Sequence, residues 1–173
     1  MKTTTVLNLV QTAQYEDFAS EYKKLLGYEK NTEFYAPHTD TKTLLDYLNN
    51  KLGFEIEESY GIFMNDTNGC ELDGNTIFSF KHEEQIKDVL FVNFDKNTRS
   101  QFEVGEGAFI AGKYQNAAIV FDKASRVFDD PTEKGYVWAI YSKKHQRYLK
   151  EFETFYELLI FLIQDRIDFF VED

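Results

Sequence analysis

The chain has 173 residues, with one cysteine, two prolines, one tryptophan and no apolar run longer than six residues. The lone Cys70 excludes a disulfide framework and any thiolate-rich metal centre. Two prolines and nine glycines exclude a fibrous or linker-rich chain. The longest apolar stretch, Leu158–Ile163, falls far short of the ~20 residues of a membrane-spanning helix. The amino end, MKTTTVLNLVQTAQ, is too polar and its apolar patch Val6–Val10 too short for a secretory signal, so the expected compartment is the cytoplasm. Cations are also in short supply, with 19 Lys and Arg against 30 Asp and Glu, a net charge of −11. That balance argues against nucleic acid or anionic membranes as partners, because both attract surplus positive charge.

What is abundant is apolar and aromatic surface, 43% and 17% of the residues, enough for one well-buried domain. We expect a single domain over residues 1–173. Charge is uneven along it. Asp40–Glu84 holds 3 cations and 10 acids, whereas Lys134–Lys150 holds 5 cations and no acid.

Periodicity outlines the elements. Tyr15, Phe18, Tyr22 and Leu26 predict a helix closed by Gly27, and Asn31–Asp40 reads as a polar connection. Leu44, Leu45, Leu48 and Leu52 predict a second helix, capped near Thr39, Asp40 or Thr41 and closed by Gly53. Ile56, Tyr60, Phe63 and Met64 predict a short third helix ending near Asn68-Gly69. A strand follows at Thr76–Phe80 and a helix at Glu83–Lys96. Strands are expected at Gly107–Ala111, Ala117–Phe121, Arg126–Phe128 and Tyr136–Tyr141, joined by turns rich in Gly, Asn, Asp and Pro. Such short connections imply an antiparallel meander. The stripe Phe152, Phe155, Tyr156, Leu159, Ile160, Ile163, Ile167 and Phe170 predicts the closing helix. Helices flanking an antiparallel sheet make an α+β domain.

Reactive chemistry is thinly marked. His38, His82 and His145 stand far apart, and His82-Glu-Glu-Gln-Ile86 lacks the second histidine of a zinc helix. Cys70 has no base assigned by its neighbourhood, and a small half-buried thiol is the simpler reading. Gly105-Glu-Gly107 lacks the lysine and helix of a phosphate loop. The run Asp66–Asp73 lacks the spacing of a calcium loop. Trp138 reads as a core or half-core residue of an alternating strand, and Lys143–Arg147 as a solvated hairpin tip or a salt-bridge partner for the acidic face. Neither a catalytic group, a cofactor nor a metal is expected.

Three segments in order resemble the SUKH superfamily, bacterial toxin-immunity relatives of a yeast cell-wall-synthesis regulator, and within it a YrhA-like branch. The first is Phe54–Phe80, FEIEESYGIFMNDTNGCELDGNTIFSF, a short helix running into an Asn-Gly turn, a loop and a strand. The second is Ala117–Asp130, AAIVFDKASRVFDD, a strand–turn–strand with an aspartate at the turn. The third is Phe152–Ile163, FETFYELLIFLI, an aromatic and leucine-rich closing helix. The resemblance covers residues 41–163, with 1–40 as an amino-terminal extension carrying one helix, and Ile56-Glu57 stands where the family often has Leu-Pro. It implies a curved antiparallel sheet with helices packed around it, and a non-catalytic intracellular protein that neutralises a toxin, frequently a nuclease, by covering its active or substrate site. A housekeeping scaffold or regulator with an endogenous protein partner is the alternative. Charge fits such a role, since a cationic toxin is steered by an acidic surface. The expected contacts are Glu55, Glu57, Glu58, Asp66, Glu71 and Asp73, with Asp122, Asp129 and Asp130 from the later turns, and Tyr60 as an aromatic anchor if it is exposed.

Overall fold

A computed structural model describes residues 32–171 of the chain. The predicted helix at Tyr15–Leu26 lies outside them. Seven strands form one open antiparallel sheet in chain order: β1 (Thr32–Phe34), β2 (Cys70–Leu72), β3 (Asn75–Ile77), β4 (Phe109–Tyr114), β5 (Ala117–Lys123), β6 (Tyr136–Ser142) and β7 (Arg147–Phe152). Six helices pack around it: α1 (Thr41–Leu52), α2 (Glu58–Asp66), α3 (Val89–Phe94), α4 (Lys96–Ser100), α5 (Ala124–Val127) and α6 (Phe155–Val171). The α+β class read from the sequence is the observed one. Bulges at Ala111 of β4 and at Leu149 of β7, each skipped by the pairing of its neighbours, break the ladder, a device that bends strands.

The register sorts the strands into two faces, because directly opposed residues point to the same side. On one face Phe109, Phe121, Trp138 and Phe152 form a cross-strand row. Tyr60 and Phe63 of α2 and Phe155 of α6 close over it, with Tyr60 ring-to-ring 5.3 Å from Phe109, 5.7 Å from Trp138 and 5.3 Å from Phe155. On the other face runs the row Glu33, Glu71, Thr76, Lys113, Ala118, Tyr141 and Tyr148. Helices α3 and α4 cover part of it, through buried Val89 and Val92 and through Phe102, whose ring meets Phe78 edge-on at 6.2 Å. Strand β5, flanked by β4 and β6, is buried from Ala117 to Asp122.

Two side-chain amides complete the backbone pairing where strands end. Asn93 Oδ1 accepts from Ile110 N, and its Nδ2 donates to Ile110 O, both at 2.8 Å. Asn68 does the same for Phe80, at 2.8 and 2.9 Å. Gly69 must be glycine: its φ is +87°, and a Cβ there lies 2.5 Å from the Ile77 carbonyl oxygen.

Several boundaries differ from expectation. Residues 32–34 form a strand inside the expected connection, and β2 and β7 were not foreseen. The expected helix Glu83–Lys96 divides into a turn of 3-10 helix (Gln85–Lys87), α3 and α4. Two aspartates restart it: Asp88 Oδ1 accepts from Leu90 N and Phe91 N, and Asp95 Oδ2 accepts from Thr98 N. The expected strand Arg126–Phe128 is the end of helix α5, where helical spacing carries Arg126 back onto Asp122, Nη1 to Oδ1 2.8 Å. Phe152 ends β7 opposite Trp138 instead of opening the last helix, which starts after Thr154. Thr154 Oγ1 accepts from Glu157 N at 3.2 Å while Glu157 Oε2 accepts from Glu153 N at 3.0 Å, a reciprocal capping arrangement.

Candidate functional site

The expected contact acids divide by burial. Glu55, Glu58, Asp66 and Asp129 are exposed. Asp73 is half-buried in the β2–β3 turn, with φ +51°. Asp130 is occupied by its own loop, accepting from Thr132 Oγ1 at 2.7 Å and Thr132 N at 2.9 Å; these bonds hold its carboxyl below the usual range.

Four other expected contacts are partly or wholly buried. Tyr60 is fully buried at the centre of the aromatic layer, so it is not an exposed anchor. Glu57 caps α2 and ties three elements together: Oε2 accepts from Ser59 N, and Oε1 accepts from Ser59 Oγ, Trp138 Nε1 and Phe155 N. Asp122 is wholly buried, accepting from Lys123 N at 2.7 Å, from Arg126 and from the Tyr148 hydroxyl. Burial first and this acceptor second push the Tyr148 hydroxyl upward, so it remains the proton donor. Arg126 and Arg99 in turn hold the loop before β4, donating to Glu106 O at 3.2 Å and Gly105 O at 3.0 Å. Glu71, the fourth, is 6% exposed on β2.

Glu71 leads to an acidic surface groove. The groove, of about 490 Å³, lies at the β1–β2 end of the sheet and is lined by Glu71 together with Glu33, Glu83 and Glu84. Register sets Glu33 directly opposite Glu71, two like charges side by side. Lys87 compensates in part, its ammonium 3.2 Å from Glu71 Oε1 and 3.1 Å from Glu84 Oε2. Glu71 Oε2 accepts from Thr76 Oγ1 at 3.0 Å. Lys81 and His82 also line the groove, which therefore holds four carboxylates against two ammonium groups.

Tyr35 forms one wall, with the His82 ring edge-on at 5.5 Å. Its hydroxyl is pushed up to about 12, first by burial and then by the negative charge of Glu71. The same field that disfavours a phenolate there favours an incoming cation. Ser79 is buried in the wall, and its Oγ has no hydrogen-bond partner among the described residues. His82 Nδ1 accepts from the Glu84 backbone N–H at 3.0 Å, a local turn contact. Glu55, by contrast, lines a separate groove of about 570 Å³ beside Asp46, Asn49 and Phe54, where it is exposed.

Cys70 is buried in β2, and burial followed by the neighbouring Glu71 charge pushes its thiol upward, away from the thiolate that nucleophilic chemistry uses. Trp138 is core, as expected. Among the described residues no group of three or more His, Cys, Asp or Glu converges as a metal site, and no helix is long and apolar enough to cross a membrane.

Sequence reasoning missed Glu33, Tyr35, Ser79, Glu83, Glu84 and Lys87 as site residues, the Glu83-Glu84 pair being read as solvated surface. The alternation Thr32-Glu-Phe-Tyr35 carried a strand signal, hidden by the polar residues that follow it. Lys87 was obscured by the expected continuous helix. No protein-family model matches the chain, and no curated protein matches it either.

Proposed function

We propose that this protein acts by binding a cationic protein, and that the groove of Glu33, Glu71, Glu83 and Glu84 receives the partner's basic side chains. The observation carrying this reading is the placement of like charges. Glu33 and Glu71 face each other across two strands, Glu71 is buried, and one lysine is shared between Glu71 and Glu84. Carboxylates crowded in this way repel one another, and an arriving guanidinium or ammonium relieves that repulsion. Tyr35 adds an aromatic wall of the kind on which cations settle.

The order of the three SUKH-like segments extends the reading to toxin immunity. A nuclease presents a cationic cleft to its nucleic acid, and an acidic groove on a bound protein occupies that cleft without chemistry of its own. The protein is then a non-catalytic immunity factor. Co-expression with the product of the neighbouring gene tests this directly. Growth rescue by the unaltered chain is expected, and loss of rescue in the double variant Glu33→Lys, Glu83→Lys. Equal rescue by both contradicts the groove, and no rescue by either contradicts the immunity role.

A further inference from the structure

We propose that a second groove on the same sheet face binds a small organic anion with an apolar body. It consists of two adjoining hollows, of about 350 Å³ and about 170 Å³, that share Gln101, Phe102 and Lys113. The register explains how the floor is built. Thr76 pairs with Lys113 and Lys113 with Ala118, so the three project from one face, and Phe78 lies two residues beyond Thr76 on that same side. Gln101 and Phe102, leaving α4, form the opposite wall. Lys143 reaches from the β6–β7 turn and donates to Gln101 O at 2.9 Å, which brings its ammonium to the mouth of the larger hollow.

The charge here is the reverse of the molecule's. Lys113 and Lys143 both line the larger hollow, and among the described residues no carboxylate lines either hollow and neither lysine makes an ion pair. A chain with eleven more acids than bases has carboxylates to spare for neutralising stray lysines, yet none of the described residues places one here. Lys87 lines the smaller hollow but is held by Glu71 and Glu84, so it divides this groove from the acidic one. The smaller hollow, which Lys113 and Lys87 also line, adds an apolar side. There Phe78 of the floor meets Phe102 of the wall, and Ile86 stands 66% exposed at the rim, an aliphatic side chain otherwise left in water. A ligand that spans both hollows needs an anionic group between Lys113 and Lys143 and an apolar portion against Phe102 and Ile86. The amide side chains of Gln101 and Asn116 supply further polar partners. The residues are distinct from those of the acidic groove, Lys87 excepted, so this inference does not depend on the proposed function.

The test is fluorescence titration of the folded chain with anilinonaphthalene sulfonate, an anion with an apolar body, alongside inorganic phosphate as the anion alone. One saturable dye site is expected, tighter than phosphate. The double variant Lys113→Glu, Lys143→Glu is expected to weaken dye binding by about tenfold or more, as loss and reversal of two partners implies. Ile86→Ser, at an exposed position, is expected to weaken it by about threefold through lost apolar contact. Lys134→Glu, outside the groove, serves as the charge control and is expected to bind as the unaltered chain does. Thermal melting of each variant shows whether it is folded. Dye binding that is unchanged by the lysine reversals overturns the proposal. So does dye binding no tighter than phosphate, or an equal loss in Lys134→Glu.

Discussion

Trp138 Nε1 donates to Glu57 Oε1 at 3.1 Å, joining β6 to the N-cap of α2 across 81 positions of sequence. The same oxygen accepts from Phe155 N at 2.6 Å, where α6 begins. One carboxylate thus serves the starts of two helices and the only tryptophan. Its removal leaves buried donors unmatched, each worth about 1–3 kcal/mol. Glu57→Ala is expected to destabilise the fold by about 2–4 kcal/mol in chemical denaturation, with a shift in Trp138 emission. Glu57→Gln retains an acceptor oxygen and loses less. An unaffected Glu57→Ala returns Glu57 to the surface acids.

Tyr60 offers the opposite experiment. Its ring is fully packed, but its hydroxyl is buried without a hydrogen-bond partner among the described residues. Tyr60→Phe removes only that hydroxyl, and stability should hold or rise by up to about 1 kcal/mol. Tyr60→Ala, which empties the aromatic layer, should lose about 3–5 kcal/mol. A large loss in Tyr60→Phe, measured by urea denaturation, points to a hidden partner for the hydroxyl.

Alkaline pH should destabilise the protein. Burial and the charge of Glu71 push Tyr35 up to about 12, and burial pushes Tyr60, Tyr148 and Cys70 upward as well. In the unfolded chain a thiol loses its proton near about 8.5 and a tyrosine near about 10. The folded state holds these protons longer, so it binds more of them at high pH, and stability falls as pH rises. The contribution is complete below about pH 8 and declines from about pH 9 towards 12. Denaturation midpoints across that range give the slope, and Tyr60→Phe should make it shallower. A flat profile contradicts the burial of these groups.

Two glycines separate conformation from contact. Gly74 has φ +93° with open space beside it, in the Asp73-Gly74 hairpin turn. Gly69 has φ +87° and the Ile77 and Phe78 carbonyl oxygens against it. Gly74→Ala carries backbone strain alone, about 1–2 kcal/mol, whereas Gly69→Ala adds a backbone clash and should lose about 3 kcal/mol or more. Thermal melting of the two variants side by side gives the order, and the reverse order refutes the close approach at β3.

How far the chain could be read depended on whether a signal was local. The leucine stripe of α1 and the αL exit at Gly53 are local, and both were legible. So was β5, because AAIVF is a continuous apolar run suited to a strand covered on both faces. Helix α5 was not, since Arg126 takes its place through the buried Asp122. Strand β7 was hidden for another reason: Arg147, Leu149, Lys150 and Glu151 are all exposed, so the strand buries little of itself and lacks the usual alternation. For the candidate site, acidity was readable and position was not. Glu57 and Asp122 look like any surface acid until β6 and β7 bring Trp138 and Tyr148 to them. Glu33 acquires meaning only opposite Glu71.

The central claim is that this molecule meets a cationic partner through the groove of Glu33, Glu71, Glu83 and Glu84. The most direct measurement is the association rate with the purified product of the neighbouring gene, followed across ionic strength. The rate should fall steeply with salt, and the double variant Glu33→Lys, Glu83→Lys should slow it about tenfold at low salt, while Glu55→Lys with Glu58→Lys changes it far less. No association, or equal slowing by both pairs, contradicts the claim, the second because overall charge would then be all that matters.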